Sequence, residues 1–229
     1  QEALEAGELR AQALVPLADK QVIPAGSTGL ARPDELFFAD APEIAARFSA
    51  LDAHLVPPEH PQAAAWAHAG VRPLSAAVTV AALAPGEGEP APTLQARLLQ
   101  RMPLIRRVAR GEGAPEDALG FLNAIRIVNV EKLQQEYRLA LGEDMRRSAP
   151  EPVQALLVLG EGVLYVEGRV PPPWLPIARE LAREIAQTMA RGPGRAQPVG
   201  GMTLAIREVL VAESPTAAEE TLDALGYPD

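Results

Sequence analysis

The stretch that decides the fold runs from Val153 to Met189. It opens with Val153-Gln-Ala-Leu-Leu-Val-Leu159, turns at Gly160-Glu161-Gly162, and returns as Val163-Leu-Tyr-Val-Glu167. After Pro171-Pro172-Pro173 comes Trp174-Leu-Pro-Ile-Ala-Arg-Glu-Leu-Ala-Arg-Glu-Ile-Ala-Gln-Thr-Met189. Two apolar runs around a Gly-x-Gly step specify a β-hairpin, because glycine reaches the positive φ of a tight turn without steric cost. Beyond the prolines the period lengthens. Trp174, Ala178, Leu181, Ile185 and Met189 recur on one helical stripe, with Arg179, Glu180, Arg183 and Glu184 opposite. Paired strands followed by an amphipathic helix predict an α+β protein in which short hairpins and an antiparallel three-stranded meander pack against several helices.

The third strand of that meander lies upstream. In Ile125–Leu139, Leu133, Gln135, Tyr137 and Leu139 share one face of an extended strand, and Gln134, Glu136 and Arg138 share the other. Val128 and Val130 fall on the opposite parity, which implies a bulge or two separate strands. Before it, Thr93 is placed to cap a helix with Leu94, Leu98, Leu99 and Met102 inward. Pro103 breaks or kinks that helix, and Leu104–Arg110 continues it. Pro115–Leu122 adds a helical turn or two.

Ala84-Pro-Gly-Glu-Gly-Glu-Pro-Ala-Pro92 contains no residue that favours burial and reads as a linker. It divides the chain into an N-terminal α/β subdomain, 1–83, and a C-terminal helix, meander and helix subdomain, 93–229. In the first subdomain, Leu14–Leu17 and Gln21–Pro24 around Ala18-Asp19-Lys20 read as an edge hairpin. A helix over Pro42–Leu51 is capped by Asp40, and a second over Pro61–Ala69 is ended by Gly70. Leu74–Leu83 is apolar and open between helix and strand. At the C-terminus, Met202–Ala212 is helical, and Ser214-Pro215 caps a last helix that Gly226 ends.

Composition excludes several classes. A net charge of −9 argues against a general binder of nucleic acid or of anionic membrane, since both need a basic face. With no cysteine, disulfide and thiolate chemistry are excluded. No apolar run approaches the roughly 20 residues that span a bilayer. A start at Gln1 without a signal peptide reads as a fragment of a cytoplasmic protein. Among the basic residues only Lys20 and Lys132 are lysines, a bias that matches a GC-rich genome.

Each chemical motif is incomplete. His54, His60 and His68 cluster beside Glu59, but without the i, i+4 helical spacing of paired metal ligands; histidines facing solvent near a loop are the preferred account. The glycine pairs Gly86/Gly88, Gly111/Gly113, Gly160/Gly162 and Gly192/Gly194 complete no phosphate loop. No serine lies in a Gly-x-Ser-x-Gly elbow. No catalytic, cofactor or metal residue is assigned. The polar constellation that remains is Arg97, Arg101, Arg106, Arg107 and Arg110, whose guanidinium forks suit a carboxylate or phosphate partner. The competing account is a solvated helix face, or arginines paired with this protein's own acidic surface.

Several phrases occur in an order that resembles the C-terminal region of bacterial sacsin-like proteins. They are Leu14-Val-Pro-Leu-Ala-Asp-Lys-Gln-Val-Ile-Pro24, Arg32-Pro-Asp-Glu-Leu-Phe-Phe-Ala-Asp-Ala-Pro-Glu-Ile44 and Gly70-Val-Arg-Pro-Leu-Ser75. Tyr137-Arg-Leu139, Val163-Leu-Tyr-Val166, Trp174, Ala178–Ile185 and Ser214-Pro through Gly226 follow. The resemblance implies an Hsp90-like, GHKL-type ATPase domain upstream. No residue of its ATP site is present here to carry over. It implies a non-catalytic accessory or coupling domain that contacts other domains of the parent protein, a protein client or a second copy. The alternative is a stand-alone ligand-binding module or small-molecule enzyme with a cleft between the two halves. Nucleic-acid binding through the arginine series is a third option.

Overall fold

The computed structural model describes residues 33–48, 51–84, 88–168, 170–190 and 199–228. In chain order the elements are β1 (Phe37–Phe38), α1 (Pro42–Ala45), β2 (Leu55–Val56), α2 (Ala63–Ala69), β3 (Arg72–Pro73), α3 (Leu74–Ala77), β4 (Val78–Leu83), β5 (Glu89–Pro90) and α4 (Pro92–Gly111). Then come β6 (Arg126–Val130), β7 (Gln134–Leu141), β8 (Asp144–Arg147), β9 (Glu151–Pro152), β10 (Ala155–Val158), β11 (Val163–Glu167), α5 (Trp174–Ala190), α6 (Val199–Val211) and α7 (Pro215–Ala224). The protein is mixed α/β. It divides into two compact units, one of Gln1–Ala81 with Glu136–Pro150, the other of Ala82–Gln135 with Glu151–Asp229. The hairpin expected at Leu14–Pro24 lies outside the described residues. No helix among the described residues is long and apolar enough to cross a membrane.

The first unit contains a three-stranded parallel sheet of order β2-β1-β3. Successive strand residues face opposite ways. Phe37 and its partner Leu55 join Ile44, Ala45 and Phe48 from and after α1, with Leu74 and Ala77 of α3. Phe38 and its partner Val56 join Leu36, Val71 and, from α2, Ala63 and Trp66. The chain therefore leaves β1 toward one face and β2 toward the other. Leu74–Leu83, ambiguous in sequence, is both things in turn: a helical turn to Ala77, then the strand β4 where β-branched Val78, Thr79 and Val80 begin. Strands β4, β7 and β8 form a second sheet, and Leu139 and Leu141 of β7 enter the Phe37 cluster.

Asp40 does not cap α1, whose N-cap is Ala41 with no side-chain bond. Its carboxylate instead accepts from the Ser75 amide at 3.1 Å and from the Ser75 hydroxyl, so it serves the first turn of α3.

In the second unit, β5, β6, β11 and β10 form a sheet of order β10-β11-β6-β5. The β10–β11 hairpin forms as expected, and Gly162 sits at φ 63° in its turn. The third strand differs from the meander reading: β6 pairs with β11 in parallel. The chain between them carries the 136–150 excursion, and a return of that length can place two strands in the same direction where a tight turn cannot. Glu89-Pro90, inside the expected linker, pairs antiparallel with β6, and Ala91 is buried. Pro92 then opens α4 at its first turn, where a missing amide costs nothing. Pro103 does not end α4. It lies on the exposed side, as does Leu99, whose carbonyl it leaves to solvent. Leu99 was expected to face inward and is 52% exposed.

Helices α4, α5, α6 and α7 cover this sheet with one apolar core that includes Leu98, Ile105, Val108, Leu164, Leu181, Ile206 and Leu222. Side chains from the helices also bond backbone groups of the sheet where its own pairing stops. Gln95 donates to the Ile125 carbonyl at 3.0 Å and accepts from the Ile127 amide at 2.7 Å. At the other edge, Glu180 accepts from the Leu157 amide at 3.0 Å, and Arg183 pairs with both Glu180 and Glu184. Each edge backbone group engaged in this way is withdrawn from pairing with another chain.

Candidate functional site

The arginine series is held on α4, and the structure resolves where each member goes. Arg97 and Arg101, one turn apart, reach the same helix end. Arg97 donates to the carbonyls of Leu210 at 2.8 Å, Val211 at 3.1 Å and Ala212 at 2.7 Å. Arg101 adds a bond from Nη2 to the Ala212 carbonyl at 3.0 Å. The last carbonyls of a helix have no partner within it and carry its negative dipole end. Two guanidinium groups supply both donors and positive charge to the end of α6. Arg97 also lies over the Trp174 ring, 5.5 Å from its centroid.

Arg107 fastens α7 and the segment that follows it. Its Nε donates to the Tyr227 carbonyl at 2.6 Å, and its Nη2 pairs with Asp223. Arg106 pairs with Glu116 and donates to Asn123 Oδ1 at 3.0 Å, which anchors the 3₁₀ helix Glu116–Ala124. Of the five, Arg110 alone is exposed. The series thus separates by helix face into clasps on three different segments of the same unit.

Arg101 is the electrostatic outlier. It is 1% exposed, and its Nε and Nη1 donors have no hydrogen-bond partner. Burial, followed by the positive charge of Arg97, pulls its pKa below the ordinary arginine value.

The histidines do not converge. His54 Nδ1 bonds the Glu35 carbonyl at 3.1 Å, and His68 Nδ1 bonds the Ala64 carbonyl one turn earlier at 2.7 Å. His60 accepts from the Gln62 amide at 3.2 Å and stacks on Trp66 with centroids 4.2 Å apart. Among the described residues no group of three metal-ligating side chains forms.

Sequence reasoning missed the buried carboxylates. Glu180 and Glu184, assigned to the outer face of α5, are 8% and 5% exposed. Burial pushes the Glu180 carboxyl above the ordinary carboxylate range; Arg183 and the Leu157 amide oppose this, and Glu184 adds to it. The signal available was the Glu180, Arg183, Glu184 spacing, which places the three within reach of one another on a helix. Glu136 on β7, 6% exposed, is a second case; Arg138 donates to it at 2.7 Å. All three glutamates have arginine partners, and Glu180 also accepts from a backbone amide, the arrangement that makes a buried charge tolerable.

Comparison with known proteins adds no further constraint: no family model, curated protein or solved structure matches the chain.

Proposed function

We propose that this chain is a non-catalytic accessory or coupling domain of a larger sacsin-like, Hsp90-like ATPase, acting in the bacterial cytoplasm through contacts with a client, a partner or another domain. The ordered resemblance of its phrases motivates the reading. The observation that carries it is the set of large aliphatic side chains on the outside of the helical unit: Leu99 at 52% exposure on α4 and Leu204 at 56% on α6. Exposed aliphatic groups suit a surface that a partner buries where they join in one contiguous patch.

The arginine series supports the same reading in a different way. Four of its five members are committed to bonds within the same unit, at the end of α6, at the segment after α7 and at a 3₁₀ segment. Packed side chains, hydrogen-bond networks and rigid elements are the parts through which coupling between sites travels. The test is ATP turnover by the isolated chain, together with the sequence of the full reading frame. The reading expects an ATPase motif upstream and no turnover here. Turnover that vanishes on substituting a residue of this chain overturns it.

A further inference from the structure

We propose that the crevice at the carboxyl ends of β1 and β2 is a binding site for a small organic cation, a primary amine or guanidinium carried on an apolar stem. The position follows from topology. In an open parallel sheet, ligands bind outside the carboxyl ends of adjacent strands whose following segments diverge to opposite faces. Here the chain after β1 runs to α1 on the Phe37 face, and the chain after β2 runs to α2 on the Phe38 face. Strands β1 and β2 are neighbours, paired Phe37 to Leu55 and Phe38 to Val56. A crevice of about 440 Å³ opens beside that divergence, lined by Ala39 from the end of β1, by Val56, Pro57, Pro58 and Glu59 from the end of β2, and by Asp52 and Leu55 from the segment that enters β2. The volume falls within the roughly 300–1,000 Å³ of ligand sites, in a cleft that stays largely open to solvent.

The lining selects the class of ligand. Sites of this topology usually take a phosphate on free amides of a glycine-rich turn. That option is closed here. The Ala39 amide donates to the Val56 carbonyl at 2.9 Å, and the Asp40 amide to the Phe38 carbonyl at 2.9 Å. Pro42, Pro57 and Pro58 have no amide hydrogen. The charged groups on the walls are the carboxylates of Asp52 and Glu59, and the remainder is aliphatic or proline. Such a surface repels an anion and favours a cation whose stem lies on Leu55, Val56 and the prolines. His60, which follows Glu59, stacks on Trp66.

The test uses the full chain, ¹⁵N-labelled, titrated separately with agmatine, n-butylamine and inorganic phosphate. A saturable response to agmatine or butylamine is expected, with amide shifts centred on Ala39, Val56 and Glu59. The Asp52→Asn/Glu59→Gln double variant, both positions exposed and its fold checked by an unchanged spectrum elsewhere, is expected to weaken that binding about tenfold or more, as loss of charge-assisted contacts does. The proposal is overturned by phosphate shifting these amides, by no saturation with either cation, by shifts scattered over the acidic surface, or by undiminished binding in the double variant. It stands or falls separately from the accessory-domain reading.

Discussion

Arg101 and Ala212 are joined by a 3.0 Å hydrogen bond to a carbonyl that Arg97 already occupies at 2.7 Å. One acceptor at the end of α6 thus takes two cations, one of them buried with two unmatched donors. The arrangement makes the two arginines unequal although sequence spacing presents them as a pair.

Substitution separates them. Arg97→Met removes donors from three terminal carbonyls and is expected to destabilise the chain by about 1–3 kcal/mol. Arg101→Met deletes a buried charge and its two unmatched donors while Ala212 keeps its bond from Arg97. It is expected to cost less than about 1 kcal/mol, or to stabilise, as hydrophobic replacements of buried charges often do. Urea denaturation of both variants decides it; a greater loss from Arg101→Met contradicts the account.

Glu180 makes a pH prediction. Because burial raises its folded pKa above the unfolded value, the protonated form favours the folded state. Its contribution is fully present below the ordinary carboxylate pKa and is lost as pH rises through the raised folded value. Glu180→Gln keeps an acceptor for the Leu157 amide and is expected to flatten stability between pH 4 and neutrality, to the extent set by this group. Glu180→Leu leaves that amide unmatched at about 1–3 kcal/mol. Denaturation midpoints across the pH range measure both effects.

A second titration lies at the alkaline end. Burial, then the hydrogen bond to Glu112, pushes the Tyr227 phenol up to about 12. The sign is the same: the contribution is complete below the ordinary tyrosine pKa of 10.0 and disappears as pH rises through about 12. Tyr227→Phe is expected to remove this alkaline loss. The ring also lies against Gly111, where an added Cβ would meet Tyr227 Cδ1 at 2.7 Å. Gly111→Ala should therefore loosen the same clasp, seen as faster amide exchange at the end of α7.

The hairpin of β7 and β8 supplies Leu139 and Leu141 to the Phe37, Phe48, Leu51 and Leu74 cluster. Leu139 is 0% exposed, and Leu139→Ala is expected to cost about 2–5 kcal/mol. A fragment ending at residue 83 lacks both leucines and is expected not to fold. Circular dichroism of that fragment, alone and with a peptide of residues 134–150, checks the dependence.

Legibility in the sequence followed sequence distance. Ser214 accepts from the Ala217 amide at 3.0 Å, as a cap three residues away must, and Gly162 makes its hairpin turn; both are local and both were readable. The mixed α/β class followed from such local signals. The parallel pairing of β6 with β11 was not readable, because strand alternation carries no direction. Asp40 reaches Ser75, 35 residues on, and Arg97 reaches carbonyls 113 to 115 residues on. Helical spacing identified these arginines as a group but gave no information about the helix end they meet. Glu180 illustrates the reverse error: charge placed it outside, whereas the open edge of β10 required an acceptor there.

The most direct test of the coupling role places Leu99→Asp and Leu204→Asp together in the full reading frame and measures ATP turnover with and without client or partner. Both side chains are exposed, so folding should be unchanged. The account predicts that an upstream ATPase retains basal turnover and loses its response to the partner. Turnover and response identical to the parent, or a full reading frame with no ATPase, contradicts it.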